Sequence, residues 1–453
     1  MTRTTIIFWS GLKTIGGNIV EICYGNDRII FDFGLVYDPK SSFLNRSSIS
    51  EESYVVDMLK LGAIPEIDEI YSKDDLQQYE EVKQYDPDGS RNTAVFISHL
   101  HLDHIGAIDT IAPSIPIYMS KDSEKLYHVF CKTDRPLFRE REIIGMDYQS
   151  EVEIGQIKVS AFRTDHDIFG SAALHIETPD LTILYSGDIR MHGKHAEYNE
   201  NMLNHLNDKD IDLLFIEGTS FRQGESEKSL DNETDIKNQV VERLIESDRL
   251  AFFNLYHTNL DRIQQFIDAA NESGREIVFE VETAYIAEQF LVSDNLSIYY
   301  NKRMDDSMKW KQELLNKYPV ITNENVNENP AKYLVQSSFR NVMNLLDLNV
   351  TEAVYFHSNG MPLGSFDPDY DRLLALLNHL GILYHPLHVS GHATKEDLLE
   401  IIDRIKPKLL IPWHSHSPEL VVPMDPNQAV FLPKVKTTYI FEDNKLKKIP
   451  QNG

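Results

Sequence analysis

The sequence predicts an α/β fold in which a β-rich first half is followed by a parallel sheet covered by helices. Three observations carry this. Short apolar runs bounded by glycine, asparagine and aspartate recur as far as Thr219. From about Gln223 helical patterns alternate with short apolar strands, the βαβ rhythm. After Gly381 strand, helix and strand follow once more.

Taken in order, TIIFWS, GNIVEICYG and RIIFDFGLVYD read as the opening strands, punctuated by Gly16-Gly17 and Gly25-Asn26. Residues 41–90 look like a polar insertion, helical around Ser53–Leu61. AVFIS, at 94–98, is a short buried strand that stops at His99. KVSAF, SAALHIET, LTILYSGD and LLFIEGT continue the β-rich half. LAFFNLY, a helix through Arg262–Ser273 and REIVFEV then set the parallel rhythm, which gives way to HVSGH, an amphipathic helix over Thr394–Ile405, and LLIPWHSH. The final Lys445–Gly453 stretch reads as a frayed tail. There is no internal repeat or low-complexity tract.

A chain of 453 residues suits two domains. No apolar run is long enough to span a bilayer and the N-terminus lacks signal-peptide organisation, so no membrane role and a cytoplasmic location are expected. The two cysteines, Cys23 and Cys131, form no CxxC pair, which excludes a disulfide framework and a thiolate zinc site. The formal charge of −27 runs against a nucleic-acid partner, because phosphate binding normally shows as a basic surface. Net charge is not local charge, however: residues 51–90 alone hold 12 acids against 3 lysines. Carboxylates gathered around two dications would also be neutralised.

His-Leu-His-Leu-Asp-His, at 99–104, is the densest chemical signal in the chain. Imidazoles and a carboxylate suit zinc and related dications, and four ligand-type residues within six are hard to explain as packing. In a turn after a strand, His99 and His101 can point one way while Asp103 and His104 face a second metal. Further ligands must come from elsewhere. His166, Asp188 and His414 each follow an apolar strand, where a loop would present them to a cleft.

The series HLHLDH, His166 and the Ser-Gly-Asp of Asp188 resembles the metallo-β-lactamase superfamily in order and spacing. Phe215-Ile-Glu-Gly-Thr-Ser, His388-Val-Ser-Gly-His-Ala-Thr and Ile411-Pro-Trp-His resemble the three further motifs of its β-CASP nucleases, with Glu217, His392 and His414 at the functional positions. The likeness is nearest to ribonuclease J and its bacterial relatives, and FNLYHTNLDRIQQ resembles the first strand and helix of their inserted domain. The chain departs from that pattern in the longer, acidic 41–90 segment, in Ser415-His416 for Gly-Glu, and in Ser358-Asn-Gly-Met-Pro. It also leaves no room for the C-terminal domain of ribonuclease J, so a homodimer remains only one of its options.

The resemblance implies an αββα metallo-β-lactamase sandwich built from residues 1–222 and 381–453, with a βαβ-type β-CASP domain inserted at 223–380. It implies two divalent ions, zinc with manganese as the alternative. His99, His101 and His166 would hold one, Asp103, His104 and His414 the other, and Asp188 would bridge them. The expected reaction is hydrolysis of single-stranded RNA, exonucleolytic, endonucleolytic or both, by a hydroxide bridging the ions. Asp103, His392 and Glu217 would form the catalytic group, with Glu217 raising the pKa of His392 so that it serves the leaving oxygen. His414 points to RNA, since the DNA-directed branch tends to carry valine there. Ser390, Asn259 and Arg262 would contact substrate phosphates. The basic group Lys132, Arg135, Arg139 and Arg141, interleaved with Phe130 and Phe138, reads as a solvated helix face. Three other functions compete: a DNA nuclease of this fold, a small-molecule ester, thioester or lactam hydrolase, and a non-catalytic nucleic-acid-binding relative.

Overall fold

The computed structural model of the chain describes residues 2–37, 50–134, 137, 139–222, 230, 232–291, 296–304 and 306–449. Two sheets face each other. One has eight strands, in spatial order Lys445–Lys448, Thr438–Glu442, Thr5–Ser10, Ile19–Tyr24, Asp27–Phe31, Asn92–Phe96, Ile117–Ser120 and Ile144–Met146. The other has six: Leu409–Trp413, Leu213–Glu217, Leu181–Tyr185, Ala172–Thr178, Ile157–Arg163 and Glu151–Ile154. Phe8, Phe31, Phe96, Phe215 and Trp413, none of them accessible, fill the space between the sheets. Each phenylalanine so buried contributes about 1.5–3 kcal/mol. Helices Tyr54–Lys60 and Lys121–Thr133 cover the outer face of the first sheet, and Ala196–Leu206 and Lys395–Ile405 that of the second. This is the αββα sandwich the sequence predicts.

The second unit is a sheet of seven strands, all parallel: Val320–Thr322, Ser297–Tyr300, Glu276–Phe279, Tyr333–Gln336, Ala251–Leu255, Val354–Ser358 and Leu383–Pro386. Its interior strand Ala251–Leu255 is buried at every residue, as a parallel strand covered on both faces must be. Helix Leu260–Glu272 follows directly. The Asn259 side chain accepts from Arg262 N at its start, and Leu260, Ile263, Phe266, Ile267 and Ala270 recur at helical spacing on its buried side.

Several expectations change. The last strand of the parallel sheet, Leu383–Pro386, lies past residue 380, and HVSGH is a bent loop rather than a strand. Of the stretch expected to fray, Lys445–Lys448 is a strand, and residues 450–453 lie outside the described residues. Lys445–Lys448 pairs with Thr438–Glu442 around Asp443 and Asn444, both at positive φ, and its lysines keep an edge strand soluble. The 41–90 segment is acidic outside but apolar inside: Tyr54, Met58, Ile67, Tyr71 and Leu76 enter the core. Gln223, where the change of rhythm begins, falls outside the described residues. No helix among the described residues is long and apolar enough to cross a membrane.

A buried charge network joins the two units. Glu233, beside helix Asp235–Ile245, accepts from Arg262 Nε at 2.6 Å and Nη2 at 3.0 Å, from Arg190 Nη1 at 3.0 Å and from Gln265 Nε2 at 3.2 Å. Arg190 also donates to Asp165 at 3.0 Å. Burial would raise the Glu233 carboxyl, but Arg262 and Arg190 outweigh it and hold it below its ordinary value. At the other side of the contact His257 pairs with Asp134, and Lys132 donates to Tyr285 at 2.8 Å.

Candidate metal centre

Every predicted ligand lies where a strand of the sandwich ends. His99 follows Asn92–Phe96, and His101 begins the one-turn helix Leu102–Ile105, which carries Asp103 and His104. His166 follows Ile157–Arg163, Asp188 follows Leu181–Tyr185, and His414 follows Leu409–Trp413. His414 turns out of its strand at φ 46°, a left-handed conformation uncommon for a residue with a side chain. Gly34 lets the loop after Asp27–Phe31 press on the ligand turn, because a Cβ there would lie 1.7 Å from the Asp103 carbonyl oxygen.

The seven residues converge. One donor atom each from His99, His101 and His166 lies within 4.8 Å of the others, and the same holds for Asp103, His104 and His414. Asp188 stands between the groups, with Oδ2 3.7 Å from His99 Nε2 and 3.3 Å from His104 Nε2, and Oδ1 2.9 Å from His414 Nδ1.

Partners outside the predicted set fix the imidazoles. His104 Nδ1 donates to Asp32 at 2.8 Å, and Asp32 also accepts from Ser98 and from the Tyr185 hydroxyl. His166 Nδ1 donates to the Gly391 carbonyl at 2.5 Å, which leaves its Nε2 as an acceptor. His99 Nδ1 meets Ser98 Oγ at 3.0 Å, while its Nε2 is buried with no hydrogen-bond partner.

Such an orphaned nitrogen among carboxylates fits a cation. Electrostatics agree. Burial keeps His99 and His101 neutral and pushes His166 down to about 3. Burial also opposes protonation of His104 and His414, yet Asp188 and Asp103 outweigh it, raising both and taking His414 to about 10. The pocket thus gathers positive charge onto two ligands, the charge that divalent ions would supply. The donor set suits divalent metal binding. Asp32→Ala is expected to weaken the cation beside His104 about 10–100-fold, as losses of such orienting partners do, read by chelator competition.

The interdomain loop completes the site. His392 Nδ1 is 3.4 Å from Glu217 Oε1 and 3.8 Å from Asp188 Oδ2. Glu217 Oε2 accepts from Thr219 N at 2.9 Å, so one oxygen caps its turn while the other faces His392. From the second unit Tyr256 brings its ring to 5.6 Å from that of His101.

The three expected phosphate contacts are otherwise engaged. Arg262 is 1% exposed and held by Glu233, Ser358 and Asn359. The Asn259 oxygen caps a helix, and the Ser390 hydroxyl bonds the His392 backbone. In the basic group expected on a solvated face, Arg141 is instead buried, donating to the Ile108, Ile111, Ala112 and Ile115 carbonyls, and Arg139 pairs with Asp75 at 2.5 Å. Arg135 and Phe138 lie outside the described residues. Asp32, Tyr256 and Asp167 were not singled out by sequence. Only the polar Asp32 within IIFDFG and the acid flanking His166 mark two of them.

Comparison with known proteins agrees with this geometry. Residues 73–276 match the beta-lactamase superfamily domain, and residues 383–420 match the Zn-dependent metallo-hydrolase RNA specificity domain. The chain is 22% identical over 431 residues to Ribonuclease J of Pyrococcus abyssi, covering 89% of this chain and 88% of the relative. It is 24% identical over 429 residues to Ribonuclease J2 of Bacillus subtilis, covering 90% and 68%. Among solved structures, a protein of unknown function from Enterococcus faecalis V583 superposes with a TM-score of 0.80 at 29% identity, covering 97% of this chain and all of that one.

Proposed function

We propose that the chain, similar to ribonuclease J-like β-CASP proteins of the metallo-β-lactamase fold, is a metal-dependent hydrolase of phosphodiester bonds in single-stranded RNA. The observation that carries this reading is His392, delivered from the loop joining the two units to the edge of the ligand cluster. A small ester would not need a second domain over the cleft, whereas a polymer passing between two domains would.

In this reading His99, His101 and His166 would hold one divalent ion and Asp103, His104 and His414 another, with Asp188 available to both; zinc would suit the donors, with manganese as the alternative. Bound there, the cations would supply a water deprotonated at neutral pH and positive charge against the phosphoryl oxygens. The chain's own residues do the rest. Asp32, Ser98 and the Gly391 carbonyl hold the imidazoles in the tautomers that leave donor nitrogens free. His392, protonated, gives its proton to the departing oxygen, and Glu217 keeps that proton in place.

Burial disfavours the charged form of His392, but Glu217 and Asp188 raise it to about 9. Glu217→Gln removes the largest raising influence and leaves burial to dominate. The protonated fraction then falls, so the alkaline limb of the rate profile is expected to move to lower pH. Bound cations would oppose protonation as well, lowering the native limb too. An unmoved limb in kcat against pH would remove His392 from the role of acid.

The direct test incubates protein purified without chelator with end-labelled single-stranded RNA and with DNA of the same sequence. Degradation of RNA is expected, and the ladder of products reads end preference. Cleavage of DNA alone would reverse the substrate assignment. If neither were cut by protein holding about two metals, esters and thioesters would be tried next.

A further inference from the structure

Asp167 is an acid that the predicted ligand set leaves out, although it sits against that set. Its Oδ1 is 3.3 Å from His166 Nε2 and 3.5 Å from His101 Nε2. The same oxygen is buried and has no hydrogen-bond partner. A carboxylate oxygen taken from water without a donor costs several kcal/mol, so such an atom calls for a partner.

His166 Nε2 does not meet that need. The other ring nitrogen already donates to Gly391, so in the tautomer that can bind a cation Nε2 carries no proton. Two acceptors, His166 Nε2 and Asp167 Oδ1, therefore face each other across 3.3 Å, and their lone pairs repel unless something positive lies between them. His101 Nδ1 approaches the same nitrogen at 3.1 Å. The separations of 3.1 and 3.3 Å about His166 Nε2 are those of neighbouring donors around one cation.

We propose that Asp167 is a further ligand of the cation held by His99, His101 and His166, which adds an oxygen donor to a three-nitrogen position. The proposal rests on reading the cluster as a cation centre and requires nothing of the substrate. Gly391 supports the placement. A Cβ there would lie 2.7–2.8 Å from the Asp167 carboxyl atoms, so this loop leaves room for the acid only because it has no side chain at that point.

The test reads metal, in the absence of nucleic acid. Protein is stripped and titrated with Zn2+ against a chromophoric chelator, and separately loaded with Co2+, whose visible bands are intense in four-coordinate sites and weak in higher ones. Asp167→Asn is expected to leave one ion bound normally and to weaken the other by more than about 100-fold, beyond the usual effect of an outer-shell partner. Its Co2+ bands should intensify as a donor is lost. Gly391→Ala, which presses on the carboxylate from the other side, should reproduce both changes and gives an independent reading if the first variant folds poorly. Unchanged affinity would overturn the proposal. So would weakened binding with an unchanged Co2+ spectrum, which marks Asp167 as an orienting partner of His101. Failure here leaves the ribonuclease reading standing, and failure to cut RNA leaves these titrations interpretable.

Discussion

Alanine at Asp188 is expected to abolish hydrolysis of single-stranded RNA, by on the order of 10⁴-fold, because several kcal/mol of charge stabilisation is lost at about 1.4 kcal/mol per tenfold. Its carboxylate reaches both ligand groups. It lies within 4 Å of donor atoms on His99, His104, His166 and His414. Its removal therefore weakens both cations together, where loss of His101 or Asp103 would touch one group. The centre is also a source of stability, since anything that binds the folded state alone raises its apparent stability by mass action. Native protein should melt at higher temperature as Zn2+ is added, and Asp188→Ala should not. Single-turnover cleavage of labelled RNA, with metal content measured on the same sample, checks both halves. Two tightly bound ions in the variant would end the shared-carboxylate assignment.

Glu233→Ala is expected to cost about 3–5 kcal/mol of stability without touching a ligand. Glu233 receives four hydrogen bonds, three from the guanidinium groups of Arg190 and Arg262, and both arginines are 1% exposed or less. Truncation leaves two buried cations short of their counter-charge, and that penalty exceeds what the pair contributes over an apolar replacement. Arg190 keeps Asp165, and Arg262 keeps Ser358 and Asn359, which bounds the loss. Glu233→Gln retains shape and should recover a minor part. The network spans two units, so urea unfolding followed by separate probes should show them uncoupling. A loss under about 1 kcal/mol would mean that water enters and screens the arginines.

The residues of the candidate cluster were legible because each is a chemically specific residue placed after an apolar strand, and HLHLDH compresses four of them into one turn. Their partners were not. Asp32 orients His104 from 72 residues away, and nothing local to IIFDFG says that its acid faces inward. Arg262 illustrates the opposite failure. Its motif suggests a phosphate contact, but the match cannot show that Glu233 already occupies its guanidinium. Residues 50–90 misled by composition, because their acids face water while isoleucines in a turn-rich stretch, Ile64, Ile67 and Ile70, pack inward. Lysines at the C-terminus suggested fraying, where they protect a sheet edge. The strands of the β-rich half were readable from their apolar patterns and their two-sheet arrangement from the family resemblance, whereas HVSGH shows that a short apolar stretch can be a loop held by side-chain bonds.

The contact between Asp103 and His414 joins positions 311 residues apart, and the bond from His166 to Gly391 joins positions 225 apart. On the ribosome, elongation at roughly 5–20 residues per second puts tens of seconds between synthesis of Asp188 and synthesis of His414. During that interval the nascent chain holds most of its donors but lacks the last imidazole and the loop that carries His392. An enzyme of the proposed activity would be made within reach of its own messenger. The late arrival of these residues would keep each copy inert until Leu409–Trp413 and His414 have been added.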